Sequence, residues 1–177
     1  MDFENAINKM ITYIDSENFI SKKYNVYNKE YLKKINELGF LTINFQYGIE
    51  KKRNHSKINS THVEEKAYLT GFLKKDIVDK FLKHISSNPN IIAFSKIETF
   101  VKTFMYIPLL LDNNKIIKTT KYTISPRELN NIKKQYNIKD VHDISYIYCI
   151  ESKFNRLANI KNGLFENIIN ALENINK

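Results

Sequence analysis

The chain has 177 residues, 42% apolar and 27% charged, with 11 Tyr, 11 Phe and a formal net charge of +9. A chain this long buries about 70% of its unfolded surface and needs no metal or disulfide to fold, and its aromatic content excludes a disordered polymer. Its one cysteine, Cys149, excludes an internal disulfide framework and a cysteine-built zinc site, so residues 1–177 are read as one domain of a reducing, cytoplasmic compartment.

Met1-Asp2-Phe3-Glu4 opens with acids, so no secretory signal is expected. The longest apolar run, Met105 to Leu111, is short, holds Pro108, and implies no membrane partner. Phe3, Ile7, Met10, Ile11 and Ile14 recur at helical spacing and predict a first amphipathic helix. Asn28 is expected to cap a second helix over Lys29 to Leu38, closed by Gly39. Phe40 to Gln46 alternates as a half-buried strand, with Leu41, Ile43 and Phe45 pointing one way and Thr42, Asn44 and Gln46 the other. The polar stretch from Tyr47 to His62 reads as a long loop.

Ala67 to Leu73 is expected as the next strand, and Lys75 to Ile85 as a helix stopped by Asn88 and Pro89. Strands follow at Ile91–Ile97, Thr99–Ile107 and Leu109–Leu111. Asp112-Asn113-Asn114 turns the chain into Ile116–Ile124. Ser125-Pro126-Arg127-Glu128 is a helix start: an N-cap, a proline at the first helical position and a capping-box glutamate. That helix should reach about Tyr136. Ile144 to Ile150 is a buried strand, and a last helix follows Gly163. The order lacks strict βαβα alternation. The fold class is therefore α+β, a central, mostly antiparallel sheet with helices packed on it and helices at both termini.

The charge balance points to an anionic partner, nucleotide or nucleic acid. Against this, most of the cations are lysines, and Asn and Ile are abundant too, the signature of AT-rich codons. Two clusters stand out: Lys51, Lys52, Arg53 and Lys57, and a stretch of Lys115, Lys118, Lys121, Arg127, Lys133 and Lys134 interleaved with Tyr122 and Tyr136.

Gly39-Phe40-Leu41-Thr42-Ile43-Asn44-Phe45-Gln46-Tyr47-Gly48, followed by Glu65-Lys66-Ala67-Tyr68-Leu69-Thr70-Gly71-Phe72, resembles an uncharacterised family of large DNA viruses and some bacteria. Its pattern is G-F-x-T-x-x-S-Q-P-G, then E/Q-R-A-Y-x-x-G-F. The likeness runs from Gly39 to Phe81. Phe45, Tyr47 and Lys66 stand where the family has Ser, Pro and Arg. The resemblance implies two paired strands with a loop between them, and carries no chemistry. If the polar motif lines a site, Thr42, Gln46 and Gly48 carry over, and a viral setting would make sequestration of a host signalling nucleotide a sensible role.

Catalytic signatures are sparse. The four glycines form no phosphate loop. His55 and His62 share the predicted loop, His84-Ile85-Ser86 is one half of a paired phosphoesterase motif, and His142 lies between Asp140 and Asp143. Glu64-Glu65-Lys66 resembles the E-x-K of metal-dependent nucleases, but a charged strand edge explains it as well. Cys149 sits in an apolar run, as a small hydrophobe would. The reading that follows is a non-enzymatic binding protein for a phosphate-bearing ligand, without cofactor or metal. Lys51, Lys52, Arg53 and Lys57 would attract phosphate, Thr42 and Gln46 make polar contacts, and Tyr47 or Tyr68 stack. The alternatives are a nucleic-acid binder, a metal-dependent phosphodiesterase or nuclease, and a protein-interaction or structural role. The broad apolar face of the last helix adds a homo-oligomer to the expectations.

Overall fold

The structure, a computed structural model, describes residues 2–16, 19, 26–46, 49–54, 60–100, 106–138, 143–152 and 163–176. Of these, 26–28, 49–54 and 60–63 are described by backbone only. The helices are α1 (Phe3–Asp15), α2 (Val26–Glu37), α3 (Lys75–Ile85), α4 (Pro126–Gln135) and α5 (Leu164–Ile175). The strands are β1 (Leu41–Gln46), β2 (Ile49–Asn54), β3 (Ser60–Glu65), β4 (Tyr68–Lys74) and β5 (Ile91–Ser95), then β6 (Ile97–Glu98), β7 (Tyr106–Asp112), β8 (Lys115–Lys121), β9 (Thr123–Ile124) and β10 (Ile144–Glu151). The fold is α+β, as expected. No helix among the described residues is long and apolar enough to cross a membrane.

The main sheet has strand order β1-β4-β10-β5, and every neighbouring pair is antiparallel. Strand alternation gives it two faces. Leu69, Leu73, Ile147 and Cys149 pack with Leu32 and Ile35 of α2, Val78 and Phe81 of α3, and Leu164, Ile168 and Leu172 of α5. On the other face Phe72 and Tyr146 meet Phe3 and Ile7 of α1 and Leu129 of α4, while Tyr68, Tyr148 and Ile150 meet Ile107 and Leu109 of β7. Because both faces are covered, β4 and β10 are buried along nearly their whole length. Each large apolar side chain removed from water here contributes about 1.5–3 kcal/mol.

A second sheet has order β2-β3-β7-β8, again antiparallel throughout. The two sheets share one hairpin. Gln46 pairs with Tyr68 in the main sheet and Ile49 with Glu65 in the second, so the same register holds in both sheets. A short parallel pair, β6 with β9, ties the end of β5 to the start of α4.

Several expectations need correction. The stretch from Tyr47 to His62 is largely a hairpin, β2 and β3, and not a loop; residues 47–48 and 55–59 lie outside the described ones. Leu41, Ile43 and Phe45 do not share a face. A bulge between Thr42 and Asn44 shifts the register, so Leu41 and Ile43 join the α1/α4 side and Phe45 the opposite cluster. Helix α2 begins before Asn28, which therefore is not its cap. Thr99 and Phe100 lie outside any strand, and 101–105 lie outside the described residues. Strand β7 runs through Pro108, whose missing N–H falls where the pairing with β8 is irregular. The remaining boundaries agree within a few residues. Ser125 caps α4, its Oγ accepting from the Glu128 amide at 3.1 Å.

Candidate functional site

The second face of the main sheet carries a row of aromatic side chains set by register. Phe94 of β5 pairs with Tyr148 of β10, which pairs with Thr70 of β4. The Phe94 and Tyr148 rings are stacked, with centroids 5.6 Å apart and planes 1° from parallel. Tyr68 stacks on the other side of Tyr148 at 5.7 Å, and Tyr122 packs on Phe94 at 4.3 Å. Tyr146 donates its hydroxyl to Thr70 Oγ1 at 3.0 Å.

Two lysines bracket this row. Lys96 lies two residues beyond Phe94, hence on the same face, and its amide is held by the Tyr146 carbonyl at 2.8 Å. Its Nζ sits 4.9 Å from the Tyr148 ring centroid and 6.0 Å from that of Tyr146, within cation–π range. It donates a long hydrogen bond, 3.4 Å, to Thr120 Oγ1 on β8. Among the described residues no carboxylate lies within 4.0 Å of it. Lys118, also on β8, donates to the Tyr68 hydroxyl at 3.1 Å, lies 5.0 Å from that ring's centroid, and stands 3.8 Å from Glu65 Oε1.

Burial sets the electrostatics. It pulls the Lys96 pKa below the ordinary lysine value, partly offset by Glu128 of α4 and reinforced by Lys121. It pushes Tyr148 well above the ordinary tyrosine value, against a hydrogen bond from Thr120, and raises Tyr146 likewise. These hydroxyls stay protonated and act as neutral dipoles. The arrangement therefore offers a cation with no carboxylate beside it, hydroxyl groups and a protonated aromatic wall. Such a set can receive an anion.

The sequence-predicted residues that are described lie on β1, β2 and β4. Thr42 is buried, its amide donating to Asn36 Oδ1 and its hydroxyl accepting from Asn36 Nδ2, both at 3.0 Å. Gln46 is half-buried opposite Tyr68. Lys51, Lys52 and Arg53 lie on edge strand β2, paired with Val63, His62 and Thr61. Tyr47, Gly48 and Lys57 are outside the described residues. Tyr68 joins the aromatic row but is 4% exposed, so its faces are taken by protein. Within the second basic stretch, Tyr122 packs inward and Tyr136 donates to the Ile43 carbonyl at 3.0 Å. Lys96, Thr120 and Tyr148 were missed by sequence reasoning. Their only sequence signal is period two, in Phe94-x-Lys96 and in Tyr146-x-Tyr148.

Few of the catalytic candidates have their side chains among the described residues. His84 is exposed on the last turn of α3, His62 lies on β3, and His55, Asp140 and His142 are outside the described residues. Lys66 is buried and donates to the Ser152 carbonyl at 2.9 Å. Cys149 is fully buried, which drives its thiol pKa up, away from the thiolate form. Among the described residues no three His, Cys, Asp or Glu side chains converge as a metal would require. No protein-family model matches the chain, and neither does any curated protein.

Proposed function

We propose that the chain is a binding protein for a phosphate-bearing ligand of nucleotide type, with Lys96 as its anchor. One observation carries the reading: an ammonium group withdrawn from water with no carboxylate within 4.0 Å among the described residues. A lysine loses favourable hydration when it is buried, and a bound phosphate would restore that loss through a charge-assisted hydrogen bond. Thr120 and the protonated tyrosines keep the surroundings of the ammonium neutral, and the +9 charge draws anions from a distance. The basic positions of β2 lie one strand beyond Glu65, the neighbour of Lys118.

The test is a thermal-shift screen of the purified chain against nucleoside phosphates, cyclic nucleotides and short oligonucleotides at two salt concentrations. A ligand at a hundredfold excess over its dissociation constant stabilises by about 2.7 kcal/mol. The expected result is a salt-tolerant shift with one nucleotide class, abolished by Lys96→Met. Binding unchanged in Lys96→Met would overturn the assignment. Nucleic-acid binding is the second reading, favoured by basic residues on both edge strands of the second sheet, Lys51, Lys52 and Arg53 on β2 and Lys115, Lys118 and Lys121 on β8. It predicts a steep loss of affinity with salt, since each neutralised phosphate releases counterions.

A further inference from the structure

The outer edge of β8 has no strand beside it among the described residues. The strand runs Lys115-Ile116-Ile117-Lys118-Thr119-Thr120-Lys121 and follows a tight turn in which Asn113 and Asn114 both have positive φ, 47° and 64°. That pair of angles fits the type I′ hairpin, whose twist matches that of the strands it joins. Ile116 and Ile117 are 58% and 60% exposed. The ladder with β7 skips Ile117 between Ile116 and Lys118, so strict alternation fails there, and both isoleucines stand in solvent as apolar contacts for a strand added alongside. Lys115 and Lys121 at the two ends have no carboxylate within 4.0 Å among the described residues.

We infer that this edge receives an extended acidic segment of another protein, by strand addition to the second sheet. Charge selects the occupant. A second copy of β8 laid antiparallel over its whole length would set Lys118 against Lys118 and Lys115 against Lys121, and like charges directly opposite repel. The same lysines that forbid self-pairing complement glutamates or aspartates at the ends of an incoming strand. A nucleic acid would use the lysines but neither the open backbone edge nor the isoleucines. The inference does not depend on Lys96 or on a nucleotide.

The experiment uses the full chain and a fluorescein-labelled peptide alternating glutamate and valine, read by anisotropy. Three companions are a polyglutamate of equal length, the same peptide N-methylated at alternate residues, and a single-stranded oligonucleotide. Saturable binding of the alternating peptide is expected, with loss for the N-methylated form and weak binding of polyglutamate. Lys115→Glu with Lys121→Glu should weaken the peptide roughly tenfold, the scale of two exposed ion pairs. Lys115→Glu alone, at the end of β8 away from Thr120 and Lys96, should leave any nucleotide-induced thermal shift in place. Absence of peptide binding, equal binding of the N-methylated peptide, or binding of the oligonucleotide alone would each overturn the inference.

Discussion

One hairpin serves two sheets, and its two halves differ in kind. Strands β1 and β4 lie in the main sheet among buried Leu41, Leu69, Phe72 and Leu73. Strands β2 and β3 continue the same register with Glu50-Lys51-Lys52-Arg53 and Thr61-His62-Val63-Glu64. The first half draws on apolar burial. The second draws on hydrogen bonding to neighbours, with β3 pairing on to β7. Backbone geometry can thus propagate a strand beyond the point where side chains demand one.

The contrast can be broken most severely at Gly71. A Cβ there would run into the Leu41 carbonyl oxygen and the Phe40 ring, and the carbonyl is backbone that cannot swing aside. Gly71→Ala should cost about 3 kcal/mol in denaturant unfolding, the upper range for overpacking. Next comes Asn36, fully buried, whose amide donates to the Leu32 carbonyl and joins Thr42 at the β1 bulge. Asn36→Ala leaves the Thr42 amide without that acceptor and should cost about 2 kcal/mol by the same measurement.

A smaller effect, of opposite sign, is expected at Lys96. Its folded-state pKa lies below the ordinary 10.5 because burial disfavours the charge. Unfolding therefore takes up a proton when the pH lies between the two values, and stability rises with pH across that window. Lys96→Met should unfold at a higher denaturant midpoint than wild type at neutral pH. The gap should narrow as pH climbs through the folded-state value towards 10.5. A midpoint below wild type would mean that the tyrosine wall compensates the buried charge fully. The smallest effect belongs to the second sheet's outer edge. Ile116→Thr with Ile117→Thr should change stability by no more than about 0.5 kcal/mol, because both side chains are already in water and Thr keeps the β-branched shape.

The same contrast explains what could be read from the chain. Helix α3 was legible because Val78, Phe81 and Ile85 repeat at helical spacing, and α4 because Ser125, Pro126 and Glu128 state its start. The buried strands β4 and β10 were legible as apolar runs. Strands β2 and β3 were not, since polar strands stabilised by their neighbours carry no periodic pattern. The motif around Gly39 and Gly71 was visible, but its meaning lies in packing. Gly39 takes φ 95° after α2, Phe40 lies beneath Gly71, and Leu41 pairs with Phe72. The lysine–tyrosine row was illegible for another reason: Lys96, Lys118 and Tyr148 come from three separate strands, and only the sheet order brings them together.

The central position of β10 also constrains how the molecule is made. It is the last strand of the main sheet to be synthesised, yet it lies between β4 and β5 and hydrogen-bonds to both. Until the ribosome delivers residues 144–151, β4 has one partner and β5 has none. Closing the gap joins segments far apart along the chain, as Tyr148 against Thr70 illustrates, so the entropy of a long loop is lost before any pairing compensates it. A nascent chain halted before β10 presents the open edge of an apolar strand, the template that aggregation and chaperones both recognise.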